Sequence, residues 1–424
     1  MKNKQIQINA SSEWEKNEVG KIFDFLRSYA ISRENLIDDT PNDKGIGNIH
    51  YGDIHAKFYS TEIDLRNISV PLVKDDGFNP NNEDFLIDGD LIMVDTSEDY
   101  EGVGVAVSVC GLGEKKVVGG LHTFVLRDNK KKTDQNFRQY IFCNSLIRNK
   151  LQKIANGVSV YGISKTNLSK IILNLPPLPE QKQISKVLET WDRGIEKLGR
   201  KIEIKKRVKK GLMRELLTGK TRLPGFDGKW KTINLGNVGQ VVSGGTPDTD
   251  NKEYWDGDVL WITPTEITKL KGKYITATKR TITQSGLKNS SATLIPAYSL
   301  IICSRATVGD CAINTKEITT NQGFKNIIPD SINIEYLYYL ITTKKSFLKR
   351  ISSGSTFLEF SKKDLEKIKI CIPLIREQTA IADILVASDK EIAGLERKLG
   401  IFKNQKKYLL NNLITGAIRT PNKL

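Results

Sequence analysis

The sequence predicts an α+β protein: two globular α/β blocks separated by two long antiparallel helices that form a coiled coil, with internal pseudo-twofold symmetry. Three observations predict it. Residues 153–222 and 350–419 are one segment written twice, aligned without a gap at a constant offset of 197. Each copy carries a helix-period apolar stripe, and the sequence before each copy is strand-rich. A repeat this long is two copies of one structural unit and not a short solenoid period.

The matched positions run through the whole segment. Gly157 aligns with Gly354, Ser164 with Ser361, Pro176 with Pro373, Glu180-Gln181 with Glu377-Gln378, Asp192 with Asp389, and Thr218-Gly219 with Thr415-Gly416. Each copy opens on a Gly/Ser-rich loop (156–162 and 352–357) and continues into an apolar strand (170–175 and 367–372) that prolines then stop. Glu180 and Glu377 follow, and a carboxylate in a first helical turn is favoured by the helix dipole.

Apolar residues then fall at Ile184, Leu188, Trp191, Ile195, Leu198, Ile202, Leu212 and Leu216, and at Ile381, Leu385, Ile392, Leu395, Leu399, Phe402, Leu409 and Leu413. Steps of four and three make a heptad seam. Lys205 and Lys209 interrupt it in one copy, Ser388 and Lys406 in the other. Each helix ends at Thr-Gly, where glycine supplies the left-handed turn. A helix over 180–217 spans roughly 57 Å. Such a rod cannot bury its own stripe, so the two copies pack antiparallel on each other, or each binds a helix of another subunit.

The preceding blocks, 13–152 and 229–349, share a faint frame. Trp14 stands before Gly20 as Trp230 stands before Gly236, Leu91-Ile92 is echoed by Leu300-Ile301, and Val118-Gly119-Gly120 by Asn321-Gln322-Gly323. The drifting offset reads as one fold carrying different loops, and recognition usually sits on such loops. Domain boundaries follow: 1–178, 179–222, 223–375 and 376–424.

The chain has 424 residues and a formal net charge of +16, and residues 180–222 alone carry half of that excess. A patch of this kind suits a polyanion such as nucleic acid. No apolar run reaches membrane-spanning length, the polar N-terminal sequence shows no export signal, and the five scattered cysteines read as free buried thiols of a reducing cytoplasm. Three histidines cannot form a rich metal site unaided, so no metal is expected.

Catalytic signatures are decoys. Thr218-Gly219-Lys220-Thr221 lacks the upstream glycine and the strand of a P-loop. Leu175 and Leu178 flank Pro176-Pro177 where a base-flipping methyltransferase needs a polar and an aromatic residue. Gly102-Val103-Gly104 and Gly111-Leu112-Gly113 read as strand turns, and Glu203-Ile204-Lys205 as a helix face.

The whole chain resembles the DNA-specificity subunit of type I restriction–modification systems. The resemblance rests on Leu175-Pro176-Pro177-Leu178-Pro179-Glu180-Gln181, Leu217-Thr218-Gly219-Lys220, Ile414-Thr415-Gly416, Ser243-Gly244-Gly245-Thr246-Pro247, Trp261-Ile262-Thr263-Pro264-Thr265-Glu266-Ile267 and Asn321-Gln322-Gly323-Phe324. The first block lacks a Ser-Gly-Gly-Thr-Pro after Gly20, and the second copy has Ile375-Arg376 in place of Leu-Pro.

The resemblance implies a non-catalytic subunit whose two blocks are target recognition domains. Each would read one half of a bipartite, asymmetric site on double-stranded DNA, with the helices as spacer. It implies two methyltransferase subunits and two restriction/motor subunits as partners. S-adenosylmethionine, ATP and Mg would be held by those partners, and no cofactor by this chain. The rival readings are a self-sufficient nuclease or methyltransferase, and a coiled-coil scaffold without DNA contact.

Asn and Gln suit adenine and Arg suits guanine. Candidate DNA-binding residues in the second block are therefore Ser243, Gly244, Gly245, Thr246, Thr263, Thr265, Glu266, Ser304, Arg305, Thr307, Asn321, Gln322 and Lys325, joined by Ser353 and Ser355 of the Gly/Ser loop. The amides of 243–246 are candidates for a phosphate. In the first block the candidates are His50, Tyr51, His55 and His122. Lys201, Lys205, Lys206, Arg207, Lys209 and Lys210 form a basic helix face that either docks on a partner subunit or lines the DNA spacer through charge.

Overall fold

The computed structural model describes every residue except 1–13, 39–44, 59–60, 76, 353–358 and 421–424. The chain divides into two compact units, 1–198 with 398–424, and 199–397. The divisions fall inside the two long helices, Leu178–Leu216 and Ile375–Thr415, so each unit owns the start of one helix and the end of the other.

Each unit has a five-stranded sheet. In the first, the spatial order is Asp24–Leu26, Thr123–Arg127, Leu91–Val94, Ala106–Cys110, Glu62–Asp64. In the second it is Gly239–Ser243, Lys325–Pro329, Leu300–Ile302, Cys311–Asn314, Tyr274–Ile275. The pairings match as well: three antiparallel neighbours, then one parallel pair at the far edge. The two blocks are one fold. Their inner strands are apolar on both faces; Leu91–Val94 and Leu300–Ile302 are buried throughout.

The repeated segments are built alike in residue detail. Before each long helix, Ile172–Leu175 pairs antiparallel with Glu15–Glu18, and Lys369–Ile372 with Lys231–Asn234. The glutamine that follows is a bolt. Gln181 accepts from the Asp134 amide at 2.7 Å and donates to the Pro176 carbonyl at 2.9 Å. Gln378 accepts from the Asn333 amide at 3.0 Å and donates to the Pro373 carbonyl at 2.9 Å. Asp134 and Asn333 are themselves N-caps of the helices Gln135–Ile141 and Ile334–Thr343.

Glu180 and Glu377 do more than favour a helix dipole. In the first unit Arg419 forks onto Glu180 at 2.6 and 2.7 Å, and in the second Arg222 forks onto Glu377 at 2.6 and 2.8 Å. Each arginine lies just past the C-terminal turn of the other helix, where Gly416 and Gly219 adopt φ of 77° and 70°. Both glycines lie against an indole, Trp14 or Trp230.

The lysines that interrupt the seam are paired across it. Lys406 binds Asp192 in the first unit, and Lys209 binds Asp389 in the second. The same aspartates accept from Tyr140 at 2.8 Å and Tyr339 at 2.5 Å. Burial first, then the neighbouring carboxylate, pushes both phenols well above the usual range, so they stay protonated donors. The direction of pairing is antiparallel in both units. Ile184 and Leu188 share a core with Leu413 and Ile414, and Ile381 and Leu385 share one with Leu216 and Leu217.

All five cysteines are free, but the expectation that they are buried holds only for Cys303; Cys371 is exposed. Ser353 and Ser355 lie outside the described residues. No helix of the described residues is long and apolar enough to cross a membrane.

Leu413 is 3% exposed and belongs to the core of the first unit. Leu413→Ala should therefore weaken that unit by about 2–5 kcal/mol. Hydrogen exchange should speed up in Leu91–Val94 and stay unchanged in Leu300–Ile302. Faster exchange confined to the second unit would contradict this assignment.

Candidate nucleic-acid interface

Loops converge at one edge of the sheets. In the second unit they are 243–246, the turn at 263, 304–307 and 320–323. Ser243 pairs with Lys325 at the end of the ladder, Cys303 bridges Phe324, the Ser304 amide donates to the Gly323 carbonyl at 2.8 Å, and the Asn321 amide to the Ile262 carbonyl at 3.1 Å. Thr246 donates its hydroxyl to the Gln322 side chain. Candidates drawn from four separate stretches of sequence thus lie on one surface.

They divide by what their polar atoms already do. Ser304 is fully buried, with its hydroxyl on Glu359 at 3.2 Å. Lys325 is also buried and donates to the same carboxylate at 3.0 Å. Glu266 accepts from the Thr263 amide and hydroxyl at 3.0 and 2.9 Å and from the Lys279 amide at 2.7 Å, a capping box that also ties down a second strand. These four residues shape the loops from inside and do not present free groups to a duplex.

The amides of Gly244 and Gly245 are not open to a phosphate either. They donate to the carbonyls of Phe324 at 3.4 Å and Thr320 at 2.8 Å. The glycines are needed for close packing: a Cβ on Gly244 would sit 1.9 Å from the Asn321 carbonyl oxygen, and one on Gly245 2.3 Å from the backbone of Ser291. Ser243, Thr265 and Gln322 are exposed, and Thr246, Arg305, Thr307 and Asn321 are half-buried. Asn321 accepts from the Gly323 amide at 2.9 Å through its side-chain oxygen, which aims its NH2 group. Between Arg305 and Thr307, Ala306 is exposed and left-handed at φ 61°.

The first unit repeats the placement with other residues. His50 stands where Thr263 stands, as N-cap of a short helix, Tyr51–Ala56, and its Nδ1 accepts from the Gly52 amide at 3.1 Å. It is 8% exposed, and burial above all holds its pKa below the ordinary value, so it caps as the neutral ring and does not reach outward. Tyr51 gathers the other candidates. Its ring centroid lies 4.6 Å from His50, 5.3 Å from His122 and 6.3 Å from His55. His122 is exposed and left-handed, at φ 55°. Its Nδ1 lies 3.6 Å from Asp95, whose amide donates to the His122 carbonyl at 3.1 Å.

Sequence reasoning missed Asp95, Asn48 and Glu359. The signal for Asp95 was present: extending the match of Leu91-Ile92 to Leu300-Ile301 sets Asp95 opposite Ser304. Asn48 is fully buried, with neither side-chain polar atom partnered among the described residues, beside Gly120, where a Cβ would lie 2.3 Å from its Oδ1. Both units also pin a residue just past the Gly/Ser loop to this edge. Ile163 donates to the Asp95 carbonyl at 2.8 Å, and Phe360 to the Ser304 carbonyl at 3.3 Å.

Of the basic helix face, three members are engaged within the second unit. Lys205 pairs with Glu391 at 2.8 Å, Lys206 with Glu396 at 3.0 Å and Lys209 with Asp389. The bond to Glu396 raises the Lys206 pKa. Lys201, Arg207 and Lys210 are exposed and carry no acidic partner among the described residues.

A family model for the type I restriction modification DNA specificity domain matches residues 11–206 and 227–401, one match per block with its helix. The chain belongs to that family. It is 39% identical over 186 residues to the type I restriction enzyme MjaIX specificity subunit of Methanocaldococcus jannaschii, covering 43% of each chain. It is 28% identical over 263 residues to the EcoR124I/EcoR124II specificity subunit of Escherichia coli, covering 58% of this chain and 63% of that one. The alignments thus span about half of these relatives' lengths. The crystal structure of the type I restriction–modification S subunit from M. genitalium shares the fold, with a TM-score of 0.53 over 96% of this chain and 98% of that one at 15% identity.

The packing of Gly244 makes a sharp test of how the family's loops are held. Gly244→Ala should cost about 1–3 kcal/mol through overpacking, measured by thermal unfolding. Gly211→Ala, in a helix with open space around it, should instead stabilise by about 0.5–1 kcal/mol. An unperturbed Gly244→Ala protein would mean that the loop is not packed as described.

Proposed function

We propose that this chain selects the DNA site for a type I restriction–modification complex, each unit reading one half of a bipartite, asymmetric sequence. The observation that carries this reading is the duplication. One sheet order, one set of loop-bearing edges and one bolt to the helices occur twice, and the residues on the two edges differ. A twofold scaffold with unlike loops suits an unlike pair of half-sites, as identical readers suit a palindrome. The exposed or half-buried Thr246, Thr265, Arg305, Thr307, Asn321 and Gln322 are the base-reading candidates of the second unit, and Tyr51, His55 and His122 those of the first.

Catalysis then belongs to partners: two methyltransferase subunits carrying S-adenosylmethionine, and two motor-nuclease subunits carrying ATP and Mg. The complex acts in the cytoplasm, where the chromosome is. The exchange of residues 229–349 for another such block, followed by methylation sequencing of a host that also expresses the methyltransferase, tests the assignment. One half of the methylated motif should change and the other persist. Change in both halves, or in neither, would refute one block for one half-site.

Lys201, Arg207 and Lys210 are the members of the basic face left for a partner. Reversing all three to Glu should abolish assembly with the methyltransferase in size-exclusion chromatography. Intact assembly with a flatter salt dependence of DNA binding would instead assign them to the spacer phosphates.

A further inference from the structure

We infer that Arg280 is a specificity-determining residue of the second unit, reading the O6/N7 edge of a guanine. The inference rests on the proposed reading of DNA by this unit. It goes beyond that reading because Arg280 lies outside every loop that the sequence pattern singled out.

Arg280 sits on the strand Arg280–Ile282, opposite Trp261 of the long strand Trp255–Ile262. Its guanidinium lies 3.7 Å from the centroid of Trp255 and 5.4 Å from that of Trp261. The two indoles are 5.0 Å apart, edge to face, and almost wholly buried. Each is pinned through its N–H, Trp255 to the Asp248 carbonyl at 2.9 Å and Trp261 to the Gly245 carbonyl at 3.0 Å. These bonds tie both indoles to the 245–248 stretch, so the arginine stacked on them lies near the 243–246 loop.

Stacking on an indole face orders the guanidinium plane while leaving its edge available. Arg280 is exposed, and among the described residues it has neither an acidic partner nor a side-chain hydrogen bond. Four other arginines are spent on carboxylates: Arg127 on Asp90, Arg138 on Asp128, Arg222 on Glu377 and Arg419 on Glu180. Arg27, 4.9 Å over Tyr29, and Arg350, 5.4 Å from Phe347, stack on a single ring each, and less closely than Arg280 on Trp255. An ordered fork of donors with no internal acceptor matches the paired acceptors of guanine in the major groove. The same fork also fits a phosphate, and a change of sequence preference, as against a change of overall affinity, tells the two apart. In the first unit, the strand paired antiparallel in the corresponding place is Leu72–Val73. Among the described residues, no arginine stands on that strand, so a stacked arginine at this place in the sheet is a feature of the second unit.

The test uses the full chain co-expressed with its methyltransferase, with methylation sequencing of the host genome. Arg280→Lys keeps the charge but loses the fork, and Arg280→Ala loses both. Both should relax one G·C position in one half-site, with discrimination falling about 10- to 100-fold. The other half of the motif and the thermal unfolding of Arg280→Lys should be unchanged. Uniform weakening across all sequences, with a salt slope reduced by about one, would assign Arg280 to a phosphate and overturn the proposal. An unaltered motif would overturn it as well. If the wild-type protein itself yields no sequence-specific methylation, it is the reading of DNA that fails, and the variants are not the cause.

Discussion

Neither long helix can bury its own apolar stripe, and the fold answers by covering the start of each with the end of the other. Hydrophobic burial alone would leave the register loose, since a heptad seam repeats itself every two turns. Polar pairs remove that freedom. Lys209 meets Asp389 and Lys406 meets Asp192, and a slip of one heptad would strand a charge at a half-buried position. Leaving such a charge unpaired costs more than the pair itself contributes. Tyr140 and Tyr339 then tie each aspartate to its own globular block, so helix register and block orientation are set by the same carboxylate.

The arginine forks complete the constraint. Arg222 and Arg419 follow the helix ends, and Glu377 and Glu180 open the helix starts, with Gln378 and Gln181 next in line as bolts to the block. Charge, capping and main-chain hydrogen bonds converge within two residues of sequence. Each block is thus anchored to the helices at that one point and through the two-stranded ribbon before it, away from the loops at the far edge. The loops at the opposite task are then free to differ, and they do: Thr263 with Glu266 caps one short helix, where His50 caps the other.

Much of this was legible in the sequence, and what was not has a physical cause. The repeat exposed the two helices, their glycine ends and the equivalence of the blocks, because those features rest on local spacing. The pairing of Lys209 with Asp389 was hidden, because a lysine on a seam reads as an interruption until its partner 180 residues away is known. Lys205 and Lys206 looked like an open basic face for the same reason. The candidate loops were found, but residue type could not separate a Ser304 turned inward onto Glu359 from a Gln322 turned outward. Glycine misled in the same way. Gly244 and Gly245 suggested amides offered to a phosphate, whereas the missing side chains make room for neighbouring backbone.

Hydrogen-bond saturation is therefore the criterion that sorts these loops. A buried donor that already has its acceptor gains nothing from a base edge and would lose a bond to reach it, since an unmade buried hydrogen bond costs more than a made one contributes. By that measure Glu266, Lys325, Ser304 and His50 are framework, however suggestive their types. In the proposed reading of DNA, the groups suited to discriminate are those that are ordered yet unspent. Ordered groups with polar atoms to spare include the left-handed His122, one ring nitrogen of which faces Asp95, an amide aimed by its own turn at Asn321, and a cation laid flat on indole at Arg280. Each holds a polar group in place by something other than the bond that the proposed reading of DNA would give it, so that bond is left open.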